Sequence, residues 1–411
     1  MLLKNLIKKL PKHFKEINIK DLSLDSRKVK KGDLFFAIKG RNLNGEKFIK
    51  KAIRKGAKAI ICSNKFKNYI KGSPIIKVRD VRETLGSVCS RFYKDKPKNI
   101  IAVTGTNGKS SVADFFHQIL FLNKIKVASI GTLGIKYNNY KKDLDLTSPD
   151  IISTHKELSR LKKLKINNVI IEASSHGLKQ MRLNGINFLA GIFTNFSQDH
   201  LDYHKTMKEY FESKMILFKK LIKKNKYIIT DESLKEFSVI KKISKQKKIN
   251  LLTTELEFKK IKKNYIFRLV GDFQIKNLSM SAKAAKLCGL KESQVAKGIE
   301  KINSVNGRLQ LIRTLPNKTK VFLDYAHTPD ALSTVLKSLK NHFRKNINLV
   351  FGCGGERDVK KRPIMSKIAN NYCNFIYVTD DNPRKENPKK IRKEIIRNLE
   401  NKSYLEIPNR I

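Results

Sequence analysis

The chain has 411 residues, 40% of them hydrophobic, and its 88 basic and 36 acidic side chains give a formal net charge of +52. A chain of this length predicts two to four domains, and no apolar run approaches the roughly 18 residues of a spanning helix, so membrane insertion is not expected. The five cysteines form no CxxC pair, which disfavours a disulfide framework or zinc site and favours a reducing, cytoplasmic location. The N-terminal residues alternate Lys with Leu and Ile and do not predict a signal peptide.

Predicted elements begin with a small α/β unit in the first part of the chain. Apolar runs predict strands over residues 33–39 and 59–62, and an amphipathic pattern predicts a short helix over residues 48–56. Residues 95–99 are polar and contain Pro97, which predicts a linker.

A strand–loop–helix pattern begins at residue 100. The run at 100–104 is continuously apolar, as expected of a strand buried on both faces. Further strands are predicted at residues 127–130, 169–171 and 227–230. One long helix is predicted at residues 210–222. Strands that alternate with helices predict a parallel sheet. The Lys- and Ile-rich residues 233–265 are expected to be an elaborated surface region.

A third unit is predicted to start near residues 303–308. Its predicted strands cover residues 321–324, 349–352 and 375–379, and its predicted helices cover residues 330–339, 361–370 and 388–399. The pattern therefore continues to alternate strands with helices to the end of the chain.

The charge allows two interpretations. A strongly basic chain is typical of nucleic-acid binding. The lysines, however, are scattered through almost every segment and are not interleaved with stacking aromatics, which favours a compositional drift toward Lys, Asn and Ile. We therefore predict no specific nucleic-acid partner, although the charge would attract anionic substrates.

A glycine-rich segment follows the predicted strand at 100–104 and opens a predicted helix: Gly105-Thr106-Asn107-Gly108-Lys109-Ser110-Ser111. Glycines let the backbone approach phosphate oxygens, and the amides of a helix start attract anions. In such a loop Lys109 would reach the β- and γ-phosphates and Ser110 would bind Mg²⁺. The strict GxxxxGK[ST] pattern is not met because residue 103 is Val. A tight glycine turn at a strand end is the alternative.

Two further groups of polar residues are candidate ligand-binding segments, and the first follows the predicted strand at 169–171. They are Glu172-Ala173-Ser174-Ser175-His176-Gly177, and Phe193-Thr194-Asn195 with the string DHLDYH at 199–204 and Lys214 downstream. Side chains at the carboxyl ends of parallel strands lie where open α/β sheets bind ligands. Carboxylate oxygens suit Mg²⁺, so Glu172 is a candidate ligand. From residue types alone, DHLDYH equally fits a surface loop and Lys214 a solvated helix position.

Six segments occur in an order that resembles the Mur ligases: GTNGKSS, EASSHGLKQMR, FTNFSQDHLDYH, DYAHTPDAL, FGCGGERDVKKRP and DNPRKENP. Residues 25–27 and 32–37 are similar to the family's uridine-binding domain. The resemblance is strongest to the members that add the third amino acid. It implies an α/β fold of three domains, at residues 1–98, 99–303 and 304–411, with a central P-loop-type parallel sheet and a Rossmann-like third domain.

The resemblance implies a UDP-N-acetylmuramoyl dipeptide as one substrate. Residues at the matching uridine and muramoyl positions are Leu24, Ser26, Arg41, Asn42, Leu43, Thr147, Ser148, Ser174, Gln180 and Arg182. Ser148 stands where the family has a second Thr, which keeps the hydroxyl. The planar fork of Arg182 suits a pyrophosphate or carboxylate.

For ATP, the resemblance implies binding by the phosphate loop, residues 105–111, together with Asn277 and Arg308. The residues that match Mg²⁺ ligands are Ser110, Glu172, His200 and Lys214. The residues at catalytic positions are Lys109, His200 and Lys214. Lys214 matches a lysine that is carbamylated in the family, and a carbamate would place an anionic oxygen donor beside the metal. Asp324 and His327 are expected to line the cleft.

The implied amino-acid substrate is meso-diaminopimelate, because DNPR goes with that substrate in the family and lysine-adding relatives lack its Arg. The implied amino-acid site comprises Arg357, Asp381, Asn382, Pro383 and Arg384. Arg384 could bind the distal carboxylate in a bidentate way, whereas the alternative is a surface residue in a Pro turn. The implied reaction, a step of peptidoglycan synthesis, activates the D-glutamate side chain as an acyl phosphate, which the incoming amine then attacks.

The sequence stops at Ile411, before a Gly-Lys-Gly-His-Glu segment of the relatives, so we expect an incomplete third domain. This leaves three hypotheses open: an active diaminopimelate-adding ligase, a lysine-adding one, and a non-catalytic binder of UDP-muramoyl peptide. A nucleic-acid-binding protein is suggested by the charge alone. Folylpolyglutamate synthases share the phosphate loop but lack the uridine-type domain and DNPR. A monomer is expected.

Overall fold

The computed structural model of the chain describes residues 1–40, 43–67, 70, 74–265, 269–356, 358–399 and 403–409. Contacts divide the chain into two compact units, each built from separate stretches of sequence. Unit 1 comprises Met1–Ile100, Lys126–Leu189 and Lys219–Lys223, and unit 2 comprises Ile101–Ile125, Ala190–Phe218 and Lys224–Ile411. The three domain boundaries drawn from the sequence remain a prediction.

Strands in the described parts of the chain are short. In chain order they are β1 (Leu22–Ser23), β2 (Leu34–Phe36), β3 (Ala59–Ser63), β4 (Ile75–Val78), β5 (Asn99–Thr104), β6 (Val127–Gly131), β7 (Gly134–Tyr137), β8 (Tyr140–Lys142), β9 (Asn168–Glu172), β10 (Ala190–Phe193), β11 (Tyr227–Thr230), β12 (Asn250–Thr253), β13 (Gln310–Thr314), β14 (Lys320–Leu323), β15 (Asn348–Phe351), β16 (Phe375–Thr379) and β17 (Ser403–Ile407).

Helices lie between most of these strands. They are α1 (Leu3–Leu6), α2 (Ile49–Arg54), α3 (Val81–Phe92), α4 (Lys109–Leu122), α5 (Ile151–Lys163), α6 (Ser175–Lys179), α7 (Leu201–His204), α8 (Met207–Ile216), α9 (Phe237–Lys247), α10 (Glu255–Asn264), α11 (Asp272–Leu287), α12 (Glu292–Glu300), α13 (Pro329–Phe343), α14 (Lys361–Tyr372) and α15 (Pro388–Ile396).

The first sheet of unit 1 has the order β1-β2-β3-β4, and all its pairs are parallel. Its strands are covered on both faces. Leu34 and Phe36 pack in one buried cluster with Leu85 of α3, while Phe35 packs in another with Ala52 of α2. Burial on both faces explains why β2 and β3 read as continuous apolar runs. The small α/β unit predicted for this part of the chain is confirmed.

A second run of hydrogen-bonded strands in unit 1 has the order β9-β6-β7-β8. β6 and β9 are parallel, whereas β7 and β8 add an antiparallel hairpin that the sequence did not predict. Thr132 directly follows β6, and Glu172 is the last residue of β9. The parallel pairing therefore brings these two residues to the same edge of the sheet.

Unit 2 contains consecutive parallel strands in the order β12-β11-β10-β5. The helices α4 and α11 pack against each other, and Ser281 of α11 donates a 2.9 Å hydrogen bond to the carbonyl oxygen of Val112 in α4. The chain enters α4 directly from the carboxyl end of β5. This edge of the sheet is where a ligand is expected in an open α/β fold.

The remaining part of unit 2 contains two smaller sheets. β13 and β14 form an antiparallel pair, and β15, β16 and β17 form a parallel sheet in chain order. One buried cluster joins Leu336 of α13, Met365 of α14 and Ile395 of α15 to Ile376 of β16. Parallel strands joined by helices are the Rossmann-like arrangement that was expected here.

Several elements differ from the sequence-based prediction. The helix predicted over 210–222 begins earlier, at Met207, and continues as a π-helix over Leu217–Leu221. Residues 233–265 were expected to be a surface region, but they supply β12 to the edge of the sheet and bury Ile240 and Ile261. More than half of these residues are exposed, as predicted, but the lysines between the apolar residues hide the buried face of α9 and α10 in the sequence.

None of the helices in the described parts of the chain combines the length and apolarity needed to cross a bilayer. All five cysteines are free thiols, and Cys62, Cys89, Cys353 and Cys373 are buried. Burial raises the pKa of Cys62 and of Cys353 to about 11. These thiols are therefore protonated near neutral pH and pack as small apolar side chains.

Candidate active site

The glycine-rich segment lies at the carboxyl end of β5 in unit 2. At two of its positions the backbone angles and the lack of room for a side chain require glycine. Gly105 has a φ of +149° and Gly108 a φ of +84°. A Cβ added to Gly105 would lie 1.9 Å from Thr194 Oγ1, and one added to Gly108 would lie 2.5 Å from Asn277 Oδ1. The backbone angles and the close contacts both exclude a larger residue. Because α4 begins at Lys109, its first amides face the loop.

The segment after β10 holds this loop in place. Thr194 Oγ1 donates a 2.6 Å hydrogen bond to the carbonyl oxygen of Asn107, and the Asn107 amide donates to Asn195 Oδ1 at 2.8 Å. The Thr106 amide donates to the carbonyl oxygen of Asn195 at 3.0 Å. β10 pairs directly with β5, so adjacent strand ends bring the two segments together.

The side chain of Lys109 lies across the loop. Its amine donates hydrogen bonds to the carbonyl oxygens of Gly105 and Thr106 at 3.0 and 2.7 Å. Ser110 and Ser111 follow in the first turn of α4, and both are buried. A lysine that bonds its own loop carbonyls is positioned to turn toward a phosphate bound there.

Arg308 and Asn277, both predicted to lie near the nucleotide, contact the phosphate loop and α4. Arg308 Nη2 donates to Ser110 Oγ at 3.2 Å, and its guanidinium lies over the Tyr325 ring, 4.3 Å from the ring centre. Gln274 Nε2 donates to the carbonyl oxygen of Arg308 at 2.9 Å. Asn277 is 6% exposed, on the same helix as Gln274.

Lys214 is not a solvated helix residue. It is 1% exposed, and its amine donates a 2.6 Å hydrogen bond to the carbonyl oxygen of Gly105. The amine also lies 4.2 Å from the centre of the Tyr210 ring. Burial, followed by the charge of Lys109, lowers the pKa of Lys214 well below its usual value, against a smaller opposite effect of Asp199. The amine is therefore neutral over a wider pH range than an exposed lysine.

Asp199 lies between two histidines. His200 Nε2 is 3.2 Å and His327 Nε2 is 3.4 Å from Asp199 Oδ2. Burial by itself would raise the pKa of Asp199, but the hydrogen bond from His327 and the charges of His200, His327 and Lys361 outweigh it and hold the pKa below its usual range. Asp199 is 7% exposed and His204 is fully buried. The DHLDYH segment is therefore not a surface loop.

In unit 1, Glu172 ends β9 with a buried side chain. Its carboxylate accepts hydrogen bonds from the amide and the hydroxyl of Thr132 at 2.9 and 3.1 Å. A Cβ added to Gly131 would lie 2.2 Å from Glu172 Oε1, so the glycine that ends β6 makes room for the carboxylate. Thr132 Oγ1 in turn lies 3.1 Å from Thr147 Oγ1.

Four of the residues predicted to bind the muramoyl part form one hydrogen-bonded cluster in unit 1. The hydroxyls of Ser148 and Ser174 are 3.0 Å apart. Arg182 donates from Nη1 to the carbonyl oxygen of Ser148 and from Nη2 to Gln180 Oε1, each at 2.7 Å. The cluster joins the loop before α5 to the residues around α6.

The predicted uridine-binding residues are only partly described. Leu24, which directly follows β1, is half-buried, and Ser26, two residues further on, is buried. Leu43 is 68% exposed. Arg41 and Asn42 lie outside the described residues.

The predicted amino-acid site lies on a turn after β16 in unit 2. Asn382 accepts a 2.9 Å hydrogen bond from the Gly355 amide, and Arg384 Nη1 donates to the Gly355 carbonyl oxygen at 2.6 Å. A Cβ added to Gly355 would lie 2.0 Å from the carbonyl oxygen of Pro383. The GCGG segment after β15 therefore packs directly on this turn. Arg357 lies outside the described residues.

Some residues that support the site were not predicted from the sequence. Tyr210 contacts Lys214, and Thr132 contacts Glu172. Lys361 donates a 2.7 Å hydrogen bond to the carbonyl oxygen of His327. The available signal for Thr132 was that it directly follows a buried strand, whereas no local pattern assigns a role to Tyr210 or Lys361.

Binding of Mg²⁺ depends on the oxygen donors that the chain offers. Among the residues that the structure describes, no group of three or more His, Cys, Asp or Glu side chains could hold a metal ion. Mg²⁺ commonly binds through one or two protein oxygens plus substrate phosphates and waters. The Ser110 hydroxyl and the Glu172 carboxylate are oxygen donors of this kind, and the imidazole of His200 is less usual. Ser110 lies in unit 2 and Glu172 in unit 1, and each is a type of donor that suits an ion held mainly by a nucleotide.

Three family models match the chain in sequence order. A model described as "Mur ligase family, catalytic domain" matches residues 18–93, "Mur ligase middle domain" matches residues 103–285, and "Mur ligase, glutamate ligase domain" matches residues 307–410.

Curated relatives and solved structures agree with these matches. The UDP-N-acetylmuramoyl-L-alanyl-D-glutamate–2,6-diaminopimelate ligase of Rickettsia bellii (strain RML369-C) is 39% identical, over 97% of this chain and 87% of the relative. The ligase of the same name from Rickettsia montanensis is 40% identical with the same coverage. A solved structure of a ligase of that name has a TM-score of 0.72 at 28% identity, over 100% of this chain and 89% of that chain.

A more distant structure shares the fold. Mycobacterium tuberculosis folylpolyglutamate synthase complexed with ADP has a TM-score of 0.65 at 16% identity, over 80% of this chain and 85% of that chain. Identity at that level supports a common architecture and nothing about the substrate. The curated relatives, in contrast, match nearly the whole chain at close to 40% identity. The chain therefore belongs to the Mur ligase family.

Proposed function

We propose that the chain is an ATP-dependent ligase that joins meso-diaminopimelate to the D-glutamate of UDP-N-acetylmuramoyl-L-alanyl-D-glutamate, a step of peptidoglycan synthesis. The observation that carries the proposal is the buried amine of Lys214, 2.6 Å from the carbonyl oxygen of Gly105 in the phosphate loop. A simple glycine turn has no need of a buried lysine. The names of the relatives described above supply the substrate and the amino acid.

In the proposed reaction, a carboxylate oxygen of the D-glutamate side chain attacks the γ-phosphorus of ATP, and ADP leaves. The amine of diaminopimelate then attacks the acyl carbon, phosphate leaves and the amine loses a proton. Little covalent chemistry falls to the protein in the first step, so positioning and charge compensation dominate. Lys109 supplies a positive charge at the loop, and Arg308 supplies a second one beside Ser110.

Mg²⁺ is proposed to bind with ATP. When bound, it would offset the negative charge of the phosphates. Ser110 and Glu172 are proposed to hold it, with His200 and a carbamate on Lys214 as further donors. The residues of the chain prepare these groups: Thr132 orients the Glu172 carboxylate through two hydrogen bonds, and Asp199 orients the His200 imidazole.

A carbamate on Lys214 is supported by the state of its amine. A neutral amine adds to carbon dioxide, losing one proton and forming a carbamate anion. Burial and the adjacent Lys109 lower the pKa of Lys214, which favours the neutral amine that this addition requires. An unmodified, charged lysine would repel both the metal and Lys109.

For the two remaining substrate parts, we propose separate groups of residues. The cluster of Ser148, Ser174, Gln180 and Arg182 would hold the muramoyl dipeptide, with Leu24 and Ser26 on the uridine side. The turn that carries Arg384 would bind the distal carboxylate of diaminopimelate, which lysine lacks. We also propose that the chain acts as a cytoplasmic monomer with no nucleic-acid partner.

The test is phosphate release by the purified chain with ATP, Mg²⁺, bicarbonate and UDP-muramoyl dipeptide, after addition of either meso-diaminopimelate or L-lysine. Release with diaminopimelate and little with lysine is expected. Equal or preferential release with lysine would overturn the amino-acid assignment. A folded chain that binds the UDP substrate but releases no phosphate with either would overturn the catalytic proposal in favour of a binding protein.

A further inference from the structure

Arg362, in the first turn of α14, is a buried cation that the reaction itself does not use. Its side chain is 1% exposed. Both terminal nitrogens bond Glu386 in a fork, with Nη1 to Oε1 and Nη2 to Oε2 each at 2.7 Å. Nη1 also donates to Glu394 Oε2 at 2.7 Å, and Nη2 donates to the Gly354 carbonyl oxygen at 3.4 Å. One guanidinium therefore contacts three separate segments.

Glu386 closes the turn that carries Arg384. The Glu386 amide donates to the carbonyl oxygen of Pro383 at 3.0 Å. Its carboxylate accepts a hydrogen bond from the Glu356 amide at 3.1 Å, in addition to the fork from Arg362. The hydrogen bonds from Arg362 lower the pKa of Glu386 to about 2, so the carboxylate is ionised at neutral pH. Both ends of this contact are thus charged and fixed in direction.

Arg384 is placed by the same two segments. Its Nη1 donates to the Gly355 carbonyl oxygen at 2.6 Å, and its backbone has a φ of +53°, in the left-handed region that non-glycine residues rarely adopt. Such a conformation persists where surrounding contacts impose it. The contacts available are those of Glu386, two residues further along, with Arg362 and Glu356.

We propose that the Arg362–Glu386 pair is a positioning device that sets where Arg384 meets the incoming amino acid, and thereby its specificity for a substrate with a distal carboxylate. The inference rests on the proposed function. Arg362 and Glu386 act through the turn and are positioning residues. Because a recognition group displaced by a fraction of an ångström loses much of its binding, the pair should affect this substrate selectively.

The chain offers a matched control for general stability. Glu394 also bonds Arg362 at 2.7 Å and is 33% exposed, against 20% for Glu386. Glu394 lies on α15, away from the turn. Glu394→Gln therefore removes a charge from the same buried cation without altering the turn, whereas Glu386→Gln weakens the contact that holds the turn.

The experiment measures KM and kcat for diaminopimelate, ATP and UDP-muramoyl dipeptide in wild type, Glu386→Gln, Glu394→Gln, Arg384→Ala and the Arg384→Ala/Glu386→Gln double variant. Glu386→Gln is expected to raise KM for diaminopimelate by about tenfold, with smaller changes in the other two constants. Glu394→Gln should change it by less than about twofold. In the Arg384→Ala background, Glu386→Gln should have little further effect, since residues that act through one another are not additive.

A Glu386→Gln effect equal to that of Glu394→Gln, or one that persists undiminished without Arg384, would overturn the inference. Calorimetric titration of diaminopimelate into each variant, with UDP-muramoyl dipeptide and a non-hydrolysable ATP analogue present, gives a second readout. A wild type that binds diaminopimelate but does not turn it over would overturn the proposed function while the variants still test the positioning. A wild type that does neither would overturn both.

Discussion

The amine of Lys214 and the carbonyl oxygen of Gly105 are 2.6 Å apart, although 109 residues separate them in the chain. Through this contact, a residue of α8 holds the first residue of the phosphate loop in place. Because the amine is buried, its protonation or modification decides the charge beside the loop: a cation, a neutral amine or a carbamate anion. Burial lowers the pKa of Lys214 well below its usual value, which favours the neutral amine from which the proposed carbamate would form.

Lys214→Ala is expected to lower kcat by at least about a hundredfold, because it removes both the contact to Gly105 and the proposed anionic donor. Short carboxylates such as acetate or propionate should restore part of the activity by occupying the vacated space. Lys208→Ala, at an exposed position of the same helix, is the control and should leave kcat unchanged. Full activity of Lys214→Ala in a phosphate-release assay would rule out a role for the carbamate in the reaction.

Arg384→Ala is expected to raise KM for diaminopimelate by about tenfold or more, since a charge-assisted bidentate hydrogen bond contributes about 1.5–3 kcal/mol. KM for ATP should not change. Lys385→Ala removes the same charge from the next residue, which is also exposed, and serves as the control. An unchanged KM for diaminopimelate in Arg384→Ala would remove the basis for the predicted amino-acid specificity.

Gly105→Ala is expected to destabilise the chain by about 1–3 kcal/mol and to abolish ATP binding, because its Cβ would lie 1.9 Å from Thr194 Oγ1. Gly289→Ala is the matched control: Gly289 also has a positive φ, of +98°, but nothing lies within 4 Å of an added Cβ. The difference between the two melting temperatures isolates the steric clash from the backbone strain. Equal melting temperatures would show that the loop can move away from Thr194.

Because of His155, the stability of unit 1 is expected to decrease as the pH is lowered. This residue of α5 is fully buried, its Nε2 lies 2.8 Å from the carbonyl oxygen of Asn184, and burial lowers its pKa to about 4. In the unfolded chain the imidazole has a pKa near 6.5, so below that pH it binds a proton that the buried imidazole of the folded chain does not bind. The contribution of His155 to the free energy of unfolding is therefore fully present above about pH 6.5. At pH 5 it is reduced by about 2 kcal/mol.

His155→Gln should flatten the decline in stability between pH 7 and pH 5, measured by chemical denaturation at constant ionic strength. The variant itself will be less stable at pH 7, so the slope with pH is the informative quantity. His342→Gln, at an exposed position of α13, should keep the wild-type slope. A wild-type slope in His155→Gln would assign the pH dependence to other groups.

Much of the fold could be predicted from the sequence because its signals are local. β5 and β11 coincide with the predicted strands to within one residue, since strands buried on both faces are continuous apolar runs. Two of the strands that were not predicted are β10, which contains a glycine, and β12, which is half exposed. Neither has the alternation or the apolar run on which strand prediction depends.

The sequence by itself determined the residue types of the site and their order, because a phosphate loop needs glycines followed by Lys and Ser wherever it is built. Only the tertiary structure decided which side chains are buried and which meet. Lys214 could have been a solvated helix residue, and nothing local to Asp199 or Arg362 indicates His327 or Glu386 as partners. The periodicity of a sequence shows which face of an element is apolar. A contact between distant side chains depends instead on how the elements pack, and the lowered pKa of Lys214 follows from that packing.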